Sequence, residues 1–282
     1  MTITTVGVLG CGLMGSGVAQ VAAGAGYRTI VLEASDDALA RGMARIGKFL
    51  NDGVAKGKLT AEAHDATLAN LSGTTRYAAL APCDLVIEAI VEDRSAKARA
   101  YAEVEAVVSS TCLLASNTSS LCITELAAAT RRPDRFGGLH FFNPVPLMKL
   151  VEVIRALPTS DETADTLTAF ARALGKEPVS APDRSGFIVN RLLIPYLLDA
   201  IRGYESGLGT REDIDTAMKL GCGHPMGPLT LADFIGLDTT LSIANIMFDE
   251  YREPRFAPPP LLKQMVLAGY LGRKSGRGFY TY

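Results

Sequence analysis

The sequence predicts an α/β fold: a Rossmann-like domain with a mostly parallel sheet at residues 1–183, followed by an all-α domain at residues 184–282. Three observations predict it. Apolar, strand-like runs alternate with helical stretches through the first two-thirds of the chain, which is typical of a parallel sheet covered by helices. A glycine-rich turn joins the first strand to the first helix. Beyond Pro182 the pattern is almost entirely helical.

The predicted elements follow one another in a regular order. The strand-like runs are residues 6–9, 29–32, 85–90, 113–115, 135–140 and 149–153. The helical stretches of the first domain are residues 15–24, 41–59 and about 94–108. A long apolar helix is predicted at residues 187–206, and helical patterns continue to about residue 269. No strand is expected after Val179, apart from the last few residues.

Composition and charge exclude several classes of protein. The 282 residues are 48% hydrophobic with a formal net charge of −2, so no overall basic excess favours nucleic acid. The sequence contains no run of about 18 apolar residues, so it predicts no membrane span. The N-terminus enters a strand without a targeting segment, so we expect a cytoplasmic protein. The five cysteines are scattered without a Cys-x-x-Cys pair, so we expect neither disulfides nor a bound metal.

The glycine-rich turn reads G-C-G-L-M-G over residues 10–15 and matches the dinucleotide-binding pattern G-x-G-x-x-G. Glu33 ends the second strand, where a carboxylate accepts hydrogen bonds from a ribose and repels a 2′-phosphate. This context predicts NAD rather than NADP as cofactor, and the alternative is a structural turn with a surface acid. The predicted cofactor contacts of the turn are Gly10, Gly12, Leu13, Met14 and Gly15.

Four further stretches go beyond a generic nucleotide-binding domain. They are S-N-T-S-S-L at residues 116–121, G-L-H-F-F-N-P-V at 138–145, G-F-I-V-N-R at 186–191 and G-R-G-F-Y at 276–280. Together with the glycine turn they closely resemble the short-chain L-3-hydroxyacyl-CoA dehydrogenase family, and within it the 3-hydroxybutyryl-CoA dehydrogenases. The resemblance covers essentially the whole chain. It implies a helical C-terminal domain that forms a homodimer, and hydride transfer between a (3S)-3-hydroxyacyl-CoA and NAD.

Oxidation of a secondary alcohol needs a base for the hydroxyl proton, and histidine is the usual one. His140 ends an apolar strand at the edge of the sheet where open α/β folds bind ligands. Glu152 lies inside another apolar strand, where a buried carboxylate needs a partner such as an imidazole. The resemblance implies that His140 is the base and that Glu152 orients it. From position alone, His140 is also compatible with a core histidine, and Glu152 with a solvent-facing acid on an edge strand.

The remaining candidate residues are polar groups near predicted strand or helix ends. Ser119 and Asn190 are predicted to bind the substrate oxygen, with a turn serine and a helix-packing amide as the alternatives. The resemblance places Glu92 and Lys97 at the cofactor, although a solvated Glu–Lys helix face is an equal alternative for Lys97. Asn117 and Asn143 are predicted to position cofactor or substrate, and Ser119 to contact the cofactor as well.

An acyl-CoA carries several phosphate charges that basic side chains could hold. Such side chains cluster on and just beyond the helix at residues 41–59, and Lys48 and Lys56 are the predicted substrate contacts. The alternative is a solvated charged face. Two other functions stay open. One is a sugar-acid dehydrogenase of the L-gulonate type, and the other is a catalytically silent, crystallin-like protein that binds NAD.

Overall fold

The computed structural model describes residues 2–282, which divide into two compact units: an N-terminal unit that ends at Asp183 and a C-terminal unit, Arg184–Tyr282. Each unit has its own apolar core. Among the described residues no single helix has the length and apolarity to cross a membrane. One pair bent by 93°, Pro228–Ile235 with Leu237–Tyr251, meets that test by length and composition.

The N-terminal unit is built on one sheet. Its strands are β1 (Thr5–Leu9), β2 (Arg28–Leu32), β3 (Leu71–Thr74), β4 (Leu85–Glu88), β5 (Leu113–Ser116), β6 (Phe136–Phe141), β7 (Leu150–Arg155) and β8 (Glu177–Pro182). The order across the sheet is β3-β2-β1-β4-β5-β6-β7-β8, and only the β6–β7 pair is antiparallel. The order of the first six is that of dinucleotide-binding sheets, so the predicted Rossmann-like fold is confirmed.

Helices cover this sheet and make up the second unit. Those of the N-terminal unit are α1 (Leu13–Gly24), α2 (Asp36–Ala55), α3 (Ala61–Ala69), α4 (Arg94–Glu105), α5 (Ile123–Ala128) and α6 (Asp161–Ala173). Those of the C-terminal unit are α7 (Val189–Glu205), α8 (Arg211–Cys222), α9 (Pro228–Ile235), α10 (Leu237–Tyr251) and α11 (Pro260–Leu267). The helical C-terminal domain is therefore confirmed.

Two helix boundaries differ from the prediction for local reasons. Helix α2 starts at Asp36 rather than near residue 41, because the Ser35 side chain accepts a hydrogen bond from the Ala38 N–H and two acidic residues favour the first turn. Helix α7 starts at Val189 rather than residue 187, because Phe187 adopts a φ of +48°, which a right-handed helix does not accommodate.

Candidate active site

The glycine turn lies between β1 and α1, and each of its glycines meets a different requirement. Gly10 has a φ of +90° and donates its N–H to the Leu32 carbonyl at 2.7 Å. A Cβ on Gly12 would meet no atom within 4 Å, so the backbone there is open to a ligand. A Cβ on Gly15 would lie 2.0 Å from the Gly10 carbonyl oxygen, so only glycine lets the helix pack this closely.

Glu33 faces this turn from the end of β2. Its carboxylate accepts hydrogen bonds from the Cys11 N–H at 2.7 Å and the Ala34 N–H at 2.8 Å. Burial, with a smaller contribution from Glu33, raises the pKa of the Cys11 thiol to about 11, so no thiolate forms beside the turn at neutral pH. A groove of about 690 Å³ is lined by Gly10, Gly12 and Glu33. An open glycine backbone at a helix N-terminus and a carboxylate one strand away fit a dinucleotide with an unphosphorylated ribose.

His140 and Glu152 are directly opposite residues of the antiparallel β6–β7 pair, which places their side chains on the same face of the sheet. The His140 Nδ1 lies 2.7 Å from the Glu152 Oε2. His140 is 4% exposed and Glu152 is fully buried. Strand β7 lies between β6 and β8, so the alternative of a solvent-facing acid on an edge strand is wrong. The pair is a buried imidazole held by a carboxylate.

The loop after β5 carries Ser119 and is fixed by side-chain hydrogen bonds. The Glu92 Oε1 accepts from the Ser119 N–H at 3.3 Å, from the Ser120 hydroxyl at 3.1 Å and from the Thr118 hydroxyl. The Asn117 Oδ1 accepts the Phe141 N–H at 2.9 Å, which ties this loop to the residue after His140. Glu92, Asn117 and Ser119 therefore belong to one connected region at the carboxyl ends of β4, β5 and β6.

Behind Glu92 lies a buried polar cluster that the sequence did not reveal. The fully buried Glu88 accepts from the Lys97 Nζ at 2.6 Å, the Tyr101 hydroxyl at 2.8 Å and the Ser116 hydroxyl at 2.7 Å. Burial, and then the charge of Glu88, raise the pKa of Tyr101 well above its usual value. Lys97 is 1% exposed, so the alternative of a solvated helix face is wrong. Glu88 is the last residue of the apolar strand β4, just as Glu152 lies inside β7, and an acid in an apolar strand is the signal that could have identified it.

Four predicted site residues remain: Asn190, Asn143, Lys48 and Lys56. Asn190 is buried in the first turn of α7 in the C-terminal unit. Asn143 is exposed and precedes Pro144. Lys48 is exposed and pairs with Asp52 at 2.7 Å, one helical turn away. Lys56, at the end of α2, lines a second groove of about 660 Å³, and Lys48 does not.

Comparison with known proteins bears directly on this arrangement. The model of the NAD binding domain of 3-hydroxyacyl-CoA dehydrogenase matches residues 5–184, and that of the 3-hydroxyacyl-CoA dehydrogenase C-terminal domain matches residues 186–282. The chain belongs to the 3-hydroxyacyl-CoA dehydrogenase family. The predicted family and the predicted cofactor, NAD, are thereby confirmed.

Relatives within the 3-hydroxyacyl-CoA dehydrogenase family match the chain along its whole length. A 3-hydroxybutyryl-CoA dehydrogenase of Mycobacterium tuberculosis is 51% identical over 282 residues, covering 99% of each chain. The mitochondrial hydroxyacyl-coenzyme A dehydrogenase of Homo sapiens is 47% identical, covering 98% of this chain and 90% of its own. The crystal structure of the (S)-3-hydroxybutyryl-CoA dehydrogenase PaaH1 from Ralstonia eutropha superposes with a TM-score of 0.95 at 45% identity, covering 100% and 99% of the two chains.

Proposed function

We propose that the protein is an NAD-dependent dehydrogenase that converts (3S)-3-hydroxybutyryl-CoA and NAD⁺ to the 3-oxoacyl-CoA, NADH and a proton. The observation that carries the proposal is the buried His140–Glu152 pair in a unit that has the NAD-binding fold of the family. The identity of 51% to a 3-hydroxybutyryl-CoA dehydrogenase supports the four-carbon substrate.

His140 is the proposed general base. Glu152 engages Nδ1, so proton transfer from the substrate hydroxyl falls to Nε2. As Nε2 takes the proton, the imidazole becomes cationic, and the Glu152 carboxylate stabilises that charge at 2.7 Å. Both side chains are buried, so little water competes for the proton and the electrostatic stabilisation is larger than at a surface. NAD⁺, when bound, supplies the acceptor for the hydride that leaves C3 of the substrate.

Ser119 and Asn190 are the proposed donors to the substrate oxygen. The Ser119 loop is fixed by a hydrogen bond from the Ser119 N–H to Glu92 and by the bond between Asn117 and the Phe141 N–H, so the Ser119 hydroxyl lies on a braced backbone. Asn190 lies in the first turn of a helix and is 9% exposed. A hydroxyl or amide that donates to the developing carbonyl oxygen stabilises the charge that forms there. Asn143 is proposed only to help position the cofactor.

The second groove is the proposed site of the CoA phosphates. It lies in the N-terminal unit, and four lysines and one aspartate line it: Lys56, Lys58, Lys149, Lys176 and Asp52. The Lys176 Nζ already donates to the carbonyls of Val145 and Met148, and burial lowers its pKa, so it braces the loop beyond His140. Lys56 is therefore the better candidate for a phosphate contact, and Lys48, outside the groove and paired with Asp52, the weaker one.

A homodimer formed through the C-terminal helices is also proposed. Large apolar side chains of this unit are highly exposed in the single chain, with Leu192 at 72%, Leu220 at 81% and Leu267 at 87%. Exposed apolar surface of this kind is typical of protein interfaces. Light scattering after size-exclusion chromatography tests this proposal, and a monomer at micromolar concentration would contradict it.

A substrate panel tests the proposed reaction. We expect NADH formation from (3S)-3-hydroxybutyryl-CoA with NAD⁺, at least 100-fold lower kcat/KM with NADP⁺, and little turnover of free 3-hydroxybutyrate, which lacks the CoA phosphates (order-of-magnitude expectations). Faster oxidation of L-gulonate than of the acyl-CoA would favour the sugar-acid alternative. Tight NADH binding without turnover of any of these compounds would favour a silent NAD-binding protein.

A further inference from the structure

Three charged side chains form a line from the interior to the surface at the end of β4. The Lys97 Nζ lies 2.6 Å from the Glu88 Oε1 and 3.1 Å from the Glu92 Oε2. The side chains of Glu88 and Lys97 are each 1% exposed, whereas that of Glu92 is 34% exposed. We call these three residues the Glu–Lys–Glu cluster. It contains two negative charges and one positive charge, so its net charge is −1.

Glu88 determines what this cluster presents at its exposed end. With Glu88 in place, the Lys97 charge is shared between two carboxylates, and Glu92 keeps an uncompensated negative charge. Without the Glu88 charge, Lys97 would neutralise Glu92 and the cluster would have no net charge. A buried ion pair of this kind is weak evidence for stability in itself, because desolvation offsets the Coulomb attraction. A ligand at the exposed end would interact electrostatically with the net charge of the cluster.

The exposed end of the cluster lies on the nicotinamide side of the cofactor site. Dinucleotides bind across the carboxyl ends of the strands where the strand order reverses, which here is between β1 and β4. Glu33 marks the adenosine ribose at the end of β2, on one side of that point. Glu92 follows β4 on the other side and contacts the loop that carries Ser119. The oxidised nicotinamide ring carries one more positive charge than the reduced ring.

We propose that Glu88 is a positioning residue that sets the preference of the site between NAD⁺ and NADH, by balancing Lys97 so that Glu92 presents a negative charge to the nicotinamide end. The inference rests on the proposed function. It concerns a residue that does not touch the cofactor and acts through the two residues beside it. A negative charge at this end stabilises the oxidised ring relative to the reduced ring.

The decisive variant is Glu88→Gln, which keeps the side-chain volume and removes one charge. The dissociation constant of NADH is measured by fluorescence titration and that of NAD⁺ by competition against NADH. We expect the preference for NAD⁺ over NADH to fall about three- to tenfold relative to the wild type, the size of a partly screened charge acting over several ångströms. If Glu88 has only a structural role, the variant would bind NAD⁺ and NADH more weakly by the same factor. The ratio of the two dissociation constants would then be unchanged, and that result would overturn the inference.

Two further variants separate charge from packing. Tyr101→Phe removes a hydrogen bond to Glu88 without changing any charge, and its ratio should stay within about twofold of the wild type. The double variant Glu88→Gln/Lys97→Met removes the buried pair together and restores a net charge of −1 at Glu92. Its ratio should return to the wild-type value. A fall of the ratio in Glu88→Gln that the double variant restores supports the inference, and a shifted ratio in the double variant would overturn it.

The outcome also distinguishes this inference from the proposed function. A wild type that oxidises (3S)-3-hydroxybutyryl-CoA, with an unchanged ratio in Glu88→Gln, would refute the charge balance alone. A wild type that binds both nicotinamide forms but oxidises no acyl-CoA would refute the proposed substrate, while a shifted ratio would still support the charge balance.

Discussion

The two units of this chain bury carboxylates in different ways. Four acidic residues are buried as whole residues, backbone included, among residues 2–282: Glu88 and Glu152 in the N-terminal unit, and Asp215 and Asp233 in the C-terminal unit. In the N-terminal unit each carboxylate meets a basic side chain, Lys97 or His140. In the C-terminal unit each meets backbone N–H groups and tyrosine hydroxyls. Both arrangements compensate a buried carboxylate for the loss of water. Only the first includes a basic side chain that can take up a proton or alter the charge beside a ligand.

The carboxylates of the C-terminal unit join segments of chain. The Asp215 carboxylate accepts from the Leu229 N–H at 2.8 Å and the Thr230 N–H at 2.9 Å, and so caps α9 from α8. The Asp233 carboxylate accepts from the Phe279 and Tyr280 N–H groups, both at 2.9 Å. The last residues of the chain are thereby fastened to α9.

Glycines make this close approach possible. A Cβ on Gly227 would lie 2.3 Å from the Asp215 Cβ, and a Cβ on Gly278 would lie 2.0 Å from the Asp233 Oδ1. The G-R-G-F-Y stretch is therefore explained as an anchor for the C-terminus. In this chain a buried acid paired with a basic side chain belongs to the candidate active site, whereas a buried acid bonded to backbone N–H groups and tyrosine hydroxyls joins segments of the fold.

The largest expected effect is the loss of the base at His140. His140→Ala should lower kcat by about 10³-fold, because general base catalysis contributes 10²–10⁴-fold, while the dissociation constant of NADH changes by less than about twofold. Steady-state kinetics and NADH titration measure the two quantities. The matched control is His64→Ala, which removes an imidazole bonded to Asn51 and should leave kcat unchanged. A kcat within about tenfold of the wild type in His140→Ala would show that another group is the base.

The next effect tests the partner of that base. Glu152→Gln keeps the volume and removes the charge that stabilises the protonated imidazole, so kcat should fall roughly 10²-fold with little change in KM for NAD⁺. Glu177→Gln, at the exposed start of the neighbouring β8, is the matched control and should behave as the wild type. If Glu152→Gln instead lowers the unfolding midpoint in urea and leaves kcat of the folded protein unchanged, Glu152 has the same structural role as Asp215 and Asp233.

Sequence patterns predicted the parts of this molecule that depend on local order. The apolar runs identified β1, β2, β4, β5, β6 and β7, because inner strands of a parallel sheet are buried on both faces. The edge strands β3 and β8 read L-S-G-T and E-P-V-S-A-P, and they escaped prediction because an edge strand needs neither a continuous apolar run nor every N–H.

The site was predictable where a motif or a costly residue type marked it. Glu152 was identified because an acid inside an apolar strand needs a partner. Lys97 was ambiguous because its partner Glu88 comes from a strand and not from its own helix. Asp233 is separated from Phe279 by 46 positions, so nothing local distinguishes it from a surface acid on a helix.

A smaller effect tests the structural role of the buried carboxylates in the C-terminal unit. Asp215→Asn replaces one of the two acceptor oxygens by an NH2 group, so one of the two α9 N–H groups loses its acceptor, and the free energy of unfolding should fall by about 2–3 kcal/mol. Urea denaturation measures it. Asp249→Asn, on the exposed face of α10, is the control and should change the free energy of unfolding by less than about 0.5 kcal/mol. A lower kcat at unchanged stability would contradict the architectural role.

The smallest effect is the pH dependence of stability that Asp233 contributes. Burial raises the pKa of Asp233 above 3.8, although hydrogen bonds from Tyr280 and Phe279 oppose the shift. In the window just above 3.8 the folded chain therefore binds a proton that the unfolded chain does not, and acidification from neutral pH strengthens this contribution. The stability difference between the wild type and Asp233→Asn should grow, by less than about 1 kcal/mol, as the pH falls from 7 to 4.

Asp84 in the N-terminal unit provides the opposite case for the same measurement. Burial alone would raise the pKa of Asp84, but hydrogen bonds from Thr5 and Thr4 outweigh it and lower the pKa below 3.8. Its contribution is present above 3.8 and is lost as the pH falls through the lowered pKa. The difference between the wild type and Asp84→Asn should therefore stay constant from pH 7 to about 5 and shrink at lower pH. Urea titrations at each pH compare the two variants. If the difference between the wild type and Asp233→Asn also shrank on acidification, the hydrogen bonds to Asp233 would outweigh the effect of its burial. The pKa of Asp233 would then be lowered, as that of Asp84 is.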